Sequence, residues 1–204
     1  MIDLYTEKTF NGQRVSIMLE ETGLAYTAHH INLMQGEQHH ADFLKLNPSA
    51  RIPVLVDHEQ GSSSPLVLTQ SVAILQYLAE KTQLLIPKTL AERAKMYEWM
   101  NFHAIDIGST LFSAFYLQQL ITPHEKQAAE QLRVRIHKLY QFFDQQLAEQ
   151  EFLAGASYSI ADITALPAVI SQAEILTEYK NLMRWLEQLK LRPAVQQGMN
   201  IPNY

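Results

Sequence analysis

The first third of the chain alternates short apolar runs with amphipathic stretches, and the remainder keeps a helical period throughout. Ile2 to Tyr5 predicts a strand. Asn11-Gly12 reads as a break, and residues 13–23 carry helical spacing through Val15, Met18, Leu19 and Thr22, with Gly23 as the stop. Tyr26 to Leu33 predicts a second strand, so this βαβ unit should hold two parallel strands. A short helix is expected over Ala41 to Leu46, ended by Asn47-Pro48. Pro53 to Asp57 and Leu66 to Leu68 read as two more strands. Gly61-Ser62-Ser63-Ser64-Pro65 lies between them, which favours a hairpin and an antiparallel pair. Residues 70–80 form an amphipathic helix, so the predicted order is β-α-β-α-β-β-α.

From Ala91 onward the pattern is helix without strands. Long periodic stretches cover 91–118 and 124–150, a third begins at Ser159, and a fourth spans 179–190. Leu84-Leu85-Ile86-Pro87-Lys88 separates the two patterns, because its proline interrupts helical spacing on both sides. The expected division is an α/β domain over 1–82, a linker over 83–90 and an all-helical domain over 91–204. Ser159-Ile160-Ala161-Asp162 is a capping-box pattern, a serine cap with an acid three residues on, and its expected role is to start a buried helix.

Composition narrows the function classes. The chain has 204 residues, 47% hydrophobic and 18% charged, which is ordinary for a globular protein. Its net charge of −5 argues against nucleic acid as a main partner. No apolar run has the length to span a membrane, and the N-terminus lacks a basic segment followed by an apolar core, so no membrane partner, no signal peptide and a cytoplasmic location are expected. There is no cysteine, so any thiol chemistry must bring its sulfur on a ligand. His29-His30 and His39-His40 could suggest a metal site, but adjacent strand residues point to opposite faces and no His-x-x-x-His spacing supports them; no metal is expected.

Two runs carry candidate chemistry. In Arg51-Ile52-Pro53-Val54-Leu55-Val56 a proline opens an apolar run, where it can start a strand but not lie inside one. An X-Pro bond there is a candidate for the cis form, leaving the Ile52 backbone facing outward to pair with an extended peptide. In Thr69-Gln70-Ser71-Val72-Ala73-Ile74 the polar pair stands where a helix should begin, and a helix N-terminus presents N–H groups to an anion. Together they suggest a grip for a small acidic peptide. The bland alternatives are a proline that shapes a turn and a serine that caps a helix.

The predicted order followed by an all-helical half resembles the cytosolic glutathione transferases. The matching residues are Arg51-Ile52-Pro53-Val54-Leu55, then Gln70-Ser71-Val72-Ala73-Ile74-Leu75-Gln76-Tyr77-Leu78, then Leu153-Ala154-Gly155 with Tyr158-Ser159-Ile160-Ala161-Asp162. Met1-Ile2-Asp3-Leu4-Tyr5, with Thr9, Asn11-Gly12 and Gln38, looks closer still to the bacterial nu-class branch, which is associated with glutathione-dependent disulfide reduction as well as transfer. The resemblance implies a thioredoxin-like N-terminal domain, an all-α bundle after it, and a homodimer.

The resemblance also implies site roles. Pro53 would be cis, and the Ile52 main chain would pair with the cysteinyl part of glutathione. Gln70 and Ser71 would hold the γ-glutamyl carboxylate, Ser71 through its hydroxyl and its backbone N–H. Thr9 and Asn11 would donate to the sulfur, with Thr6 as a fallback hydroxyl; the alternative is that Asn11 caps the first helix and Thr9 is a polar loop residue. Gln38 would meet the glycyl carboxylate, with Arg51 as a second contact, although both could be solvated surface residues. Trp99, Phe102, His103, Phe112, Phe115 and Tyr116 are expected to be mostly core or subunit contact, with one or two facing the sulfur, and Arg133 and Arg135 are candidates to reach a ligand carboxylate from a partner subunit. The implied activity is attack by the glutathione thiolate on a small electrophile or disulfide. The alternative is a binding or regulatory module that kept the fold and lost the chemistry.

Overall fold

Ile2, Leu4 and Thr6 are buried on one face of a strand, β1 (Ile2–Thr6), while Asp3 and Tyr5 face the other way. This alternation is the period of two that a half-buried strand requires. The computed structural model describes residues 1–59 and 64–203. Helix α1 (Phe10–Thr22) follows, then β2 (Tyr26–His30), two short 3-10 turns at 33–35 and 37–39, and α2 (Ala41–Leu46). Strands β3 (Val54–Asp57) and β4 (Leu66–Thr69) and helix α3 (Ser71–Thr82) complete the order read from the sequence. The sheet runs β2-β1-β3-β4, with β1 and β2 parallel and both other pairs antiparallel. Gly61, Ser62 and Ser63 of the expected hairpin turn lie outside the described residues.

Three local readings change. The second strand stops at His30, because Asn32 caps a 3-10 turn by accepting from Gln35 N–H at 3.0 Å. Asn11-Gly12 is not a break before the helix: α1 starts at Phe10, so both residues lie in its first turn, and Thr9 is the cap. Gly12 is small for a reason of space: a Cβ there would come within 2.2 Å of the Glu7 carbonyl oxygen and 2.4 Å of Thr6 Oγ1. Gly23, at φ 65°, ends the helix in the left-handed conformation that glycine adopts without penalty.

The helical half begins with α4 (Leu90–Asn101), whose capping box pairs Thr89 with Glu92. A π-helical segment (Phe102–Gly108), α5 (Ser109–Phe115) and a second π segment (Tyr116–Leu120) continue without a break. Then come α6 (Lys126–Glu149), α7 (Ile160–Gln172), α8 (Lys180–Lys190) and α9 (Pro193–Gly198). Trp99, Phe102 and His103 gather around Phe143 with ring centroids 5.5–5.9 Å apart. Asp162, fully buried, closes the α7 capping box and also accepts from Leu153 N–H at 2.9 Å and Trp185 Nε1–H at 2.8 Å. Burial pushes its carboxyl up against these bonds.

By contacts the chain forms two compact units, Leu85–Leu189 and Met1–Leu84 joined by the segment from Lys190. The C-terminal segment, expected in the helical domain, therefore belongs to the sheet-bearing unit, where α9 packs on α1. Pro193 starts a new helix at its first position, where its missing N–H costs nothing. Gly198 lies so close to α1 that a Cβ would meet the Ile17 backbone at 2.6 Å. Ser16 Oγ–H donates to the Gly198 carbonyl at 2.7 Å, and Arg192 binds both oxygens of Glu21 at 2.6 and 2.7 Å. No helix among the described residues is long and apolar enough to cross a membrane.

Candidate functional site

The strand register brings the sequence-predicted residues to one end of the sheet. Val54, the first residue of β3, pairs with Tyr5 near the end of β1 and with Thr69 at the end of β4. Thr6 pairs with His30 at the end of β2. Thr9 and Asn11 follow β1, Gln38 follows β2, Arg51, Ile52 and Pro53 precede β3, and Gln70 and Ser71 follow β4. All eight therefore leave the sheet at the same edge. Helices α1 and α3 both start there, so two positive helix poles face the same region.

Thr9 is the N-cap of α1: its Oγ1 accepts from Gly12 N–H at 3.2 Å. A hydroxyl has one proton and two lone pairs, so capping leaves its O–H able to donate. The cap and thiol-binding readings of Thr9 are thus compatible. Asn11 is half-buried in the first helical turn, and its Oδ1 accepts from Arg14 Nη1 and, at 3.3 Å, from Ser71 Oγ–H. Ser71 is 7% exposed and its Oγ accepts from Arg14 Nη1 at 3.2 Å. The Ser71 hydroxyl proton is therefore committed to Asn11, and its backbone N–H is what remains for an anion. Inside α3 the first bonded amide is that of Ile74, to the Gln70 carbonyl at 3.0 Å. Arg14 is the site residue that sequence reasoning missed. Its signal was a lone cation three residues after Asn11, within a run of otherwise apolar or small buried positions.

Gln70 is exposed, makes no cap with its side chain, and sits at φ 69° and ψ 109°. That backbone conformation is unfavourable for any residue with a Cβ and recurs at ligand sites. The Ile52–Pro53 bond is cis. Ile52 precedes β3, so its N–H and carbonyl lie outside the ladder, while its side chain packs with Phe43, Val54 and Val56. Arg51 is exposed, and its carbonyl accepts from Asn47 Nδ2–H at 2.7 Å, which fixes the loop before β3. Gln38 lies in the second 3-10 turn with a buried Oε1 that has no hydrogen-bond partner. An amide placed this way suits a ligand that supplies the missing partner, and turned over it offers Nε2–H to a carboxylate.

Three histidines pair with carboxylates around β1. His29 Nε2 lies 2.8 Å and His58 Nε2 2.7 Å from opposite oxygens of Asp3, and His30 Nε2 lies 2.7 Å from Glu7. The hydrogen bond from His29 lowers the Asp3 carboxyl, with a smaller contribution from His58. Among the described residues no group of three His, Asp or Glu side chains could hold a metal ion. In the helical unit His103 is buried and Trp99 and Phe102 are half-buried against Phe143, whereas Phe112 and Tyr116 are half-exposed and line a shallow hollow of about 350 Å³ with Ser113 and Leu117. Arg133 donates to Gln118 and, at 3.4 Å, to Glu130.

Comparison with known proteins gives the frame for this geometry. Residues 11–81 match the family model for the glutathione S-transferase N-terminal domain, and residues 104–193 match that for its C-terminal domain. The disulfide-bond oxidoreductase YfcG of Escherichia coli is 34% identical, with 98% of this chain and 94% of the relative covered. The disulfide-bond oxidoreductase YghU of the same bacterium is also 34% identical, with 97% and 73% covered. A glutathione transferase from Burkholderia graminis, solved with two glutathione molecules per subunit, superposes with a TM-score of 0.91 at 33% identity, covering 99% of this chain and 88% of that one. One from Pseudomonas putida, solved with a glutathione disulfide, gives 0.90 at 32% identity, covering 98% and 91%. With the sheet order, the edge cluster and these matches in agreement, the chain belongs to the glutathione S-transferase family.

Proposed function

We propose that the chain binds glutathione at the shared edge of the sheet and holds its thiol as a thiolate for attack on an electrophile or a disulfide. The observation that carries this reading is the convergence of Thr9, Asn11, Ile52, Gln70 and Ser71 at one sheet end beneath two helix N-termini. Thr9 O–H and the Asn11 amide donate to the sulfur. The Ile52 main chain pairs with the cysteinyl part next to Pro53. Gln70 and the Ser71 N–H hold the γ-glutamyl carboxylate, and Gln38 with Arg51 meets the glycyl one. Residues 1–82 carry this site, and residues 83–90 link it to the helical half.

A hydrogen bond to a charged group contributes roughly 1.5–3 kcal/mol. That is enough to lower a thiol pKa by about one to two units from ~8.5, raising the thiolate fraction near neutral pH. With an electrophilic carbon, the thiolate forms a C–S bond and the leaving group departs with its electron pair. With a disulfide, it forms a mixed disulfide and expels one thiolate; a second thiolate then forms glutathione disulfide and expels the other. The chain has no cysteine, so that second thiolate comes from another glutathione.

The relatives named as oxidoreductases favour an enzyme over a binding module, although fold alone does not decide this. The reading includes a cytoplasmic homodimer that takes glutathione and a small second substrate and uses neither a metal nor nucleic acid. The test is an assay of the purified protein with glutathione and either an aromatic halide or a small disulfide, beside calorimetry with glutathione. Turnover of one of them is expected, and the T9A/N11A double variant should lose roughly 10- to 100-fold in kcat/KM. Absence of both binding and turnover overturns the proposal; binding without turnover favours the module.

A further inference from the structure

Arg14 is 3% exposed on a helix whose neighbouring buried positions are Val15, Ile17, Met18 and Leu19. A guanidinium in such a place carries a large desolvation cost that good hydrogen-bond geometry must offset. Its Nη1 donates to Asn11 Oδ1 and to Ser71 Oγ, and its charge lies 5.5 Å from the Phe10 ring centroid. A guanidinium has donors and no acceptor, so it must face the carbonyl oxygen of the Asn11 amide rather than its nitrogen. The Ser71 hydroxyl gives its proton to the same oxygen. Asn11 Nδ2 is thereby turned the other way, and it has no hydrogen-bond acceptor among the described residues.

We infer that Arg14 is a positioning residue for thiolate binding: by donating to Asn11 Oδ1 and Ser71 Oγ it fixes the Asn11 amide with its N–H2 group offered to the sulfur. The inference rests on the proposed role of Asn11 as a thiolate donor. The two ends of an amide are nearly the same size and have opposite polarity. Turned over, Asn11 would present an acceptor to an anion and repel it. Arg14 prevents this by making one orientation bond and the other clash in charge. The same nitrogen also joins the first turn of α1 to the first residue of α3, which couples the sulfur end of the proposed site to its γ-glutamyl end.

The experiment follows the pKa of enzyme-bound glutathione through the ultraviolet absorbance of its thiolate, with glutathione affinity from calorimetry as the companion readout. N11A, R14M, R14K and N11A/R14M are compared with the parent chain, and R14Q replaces R14M in both variants if R14M does not fold. N11A is expected to raise the bound-thiol pKa by about one unit. R14M should raise it nearly as far while changing affinity less than threefold. The double variant should be no worse than N11A alone, because Arg14 acts through Asn11. R14K, which keeps a cation with several N–H donors, should stay close to the parent. An unshifted N11A removes Asn11 from the sulfur and overturns the inference together with the reading beneath it. A shifted N11A beside an unshifted R14M, or a double variant whose shift is the sum of the two, overturns the inference alone.

Discussion

At the scale of single residues, the proposed site is built from groups that each also do a structural job, so residue type alone does not separate the two roles. Thr9 caps α1 and still has a proton to give. Ser71 opens α3, yet its hydroxyl is spent on Asn11, which residue identity alone could not reveal. Gln70 is the exception, because its side chain is exposed and makes no cap while its backbone holds a positive φ. The last residue of β4 on one side and the first turn of α3 on the other hold it in that conformation, at a cost of about 1–3 kcal/mol. Alanine keeps the same backbone demand and removes only the amide. Q70A should therefore leave the unfolding free energy from urea titration within about 0.5 kcal/mol of the parent. It should weaken glutathione about 10- to 100-fold in calorimetry, the loss of one hydrogen bond to a carboxylate. Equal affinity in the two proteins would remove Gln70 from the ligand.

At the scale of elements, order and type were legible because period and punctuation agree: alternation in β1, Gly23 after α1, Asn47-Pro48 after α2, and the Ser159–Asp162 box before α7. The edge cluster became visible only once strand register was known, since sequence spacing does not say which ends of four strands coincide. A tie between elements that the pattern did not announce is Asp57, at the end of β3. It is buried and takes hydrogen bonds from Tyr77 and Lys81 of α3 and from the Glu59 N–H. Burial alone would raise its carboxyl, but these bonds outweigh it and bring the pKa from an ordinary 3.8 down to about 2. The unfolded chain then binds the proton more readily than the folded one, so the stabilisation is full above pH 4 and is lost as pH falls toward 2. Its size is about 2 kcal/mol. Urea titrations at pH 6, 4, 3 and 2.5 should show the parent losing that much more stability than D57N across the acid range. Parallel curves would show that the tie does not titrate.

At the scale of the whole molecule, two features follow from what the chain contains and where its ends return. The segment after Lys190 packs on α1 of the sheet-bearing unit, anchored by Gly198 against Ile17 and by the Arg192–Glu21 pair, although its sequence continues the helical pattern. Helical period identifies an element but not its partner, and a contact made through a missing side chain leaves no apolar signature. The absence of cysteine, by contrast, was legible at once and constrains the entire reaction. A transferase-fold reductase with its own thiol could store the mixed disulfide on the protein and would be inactivated by alkylation. This chain has no thiol for either, so in the proposed reaction both sulfur exchanges pass through ligand-borne thiols. Protein treated with iodoacetamide and then freed of reagent should keep its full disulfide-reductase rate. Mass spectrometry during turnover should find no glutathione attached covalently to the chain. With a substrate disulfide whose own thiols are diluted away, about two glutathiones should be consumed for each disulfide reduced, in keeping with two successive thiolate attacks. Loss of activity after alkylation would mean that some other nucleophile on the protein takes part, and the ligand-borne sulfur would no longer account for the chemistry.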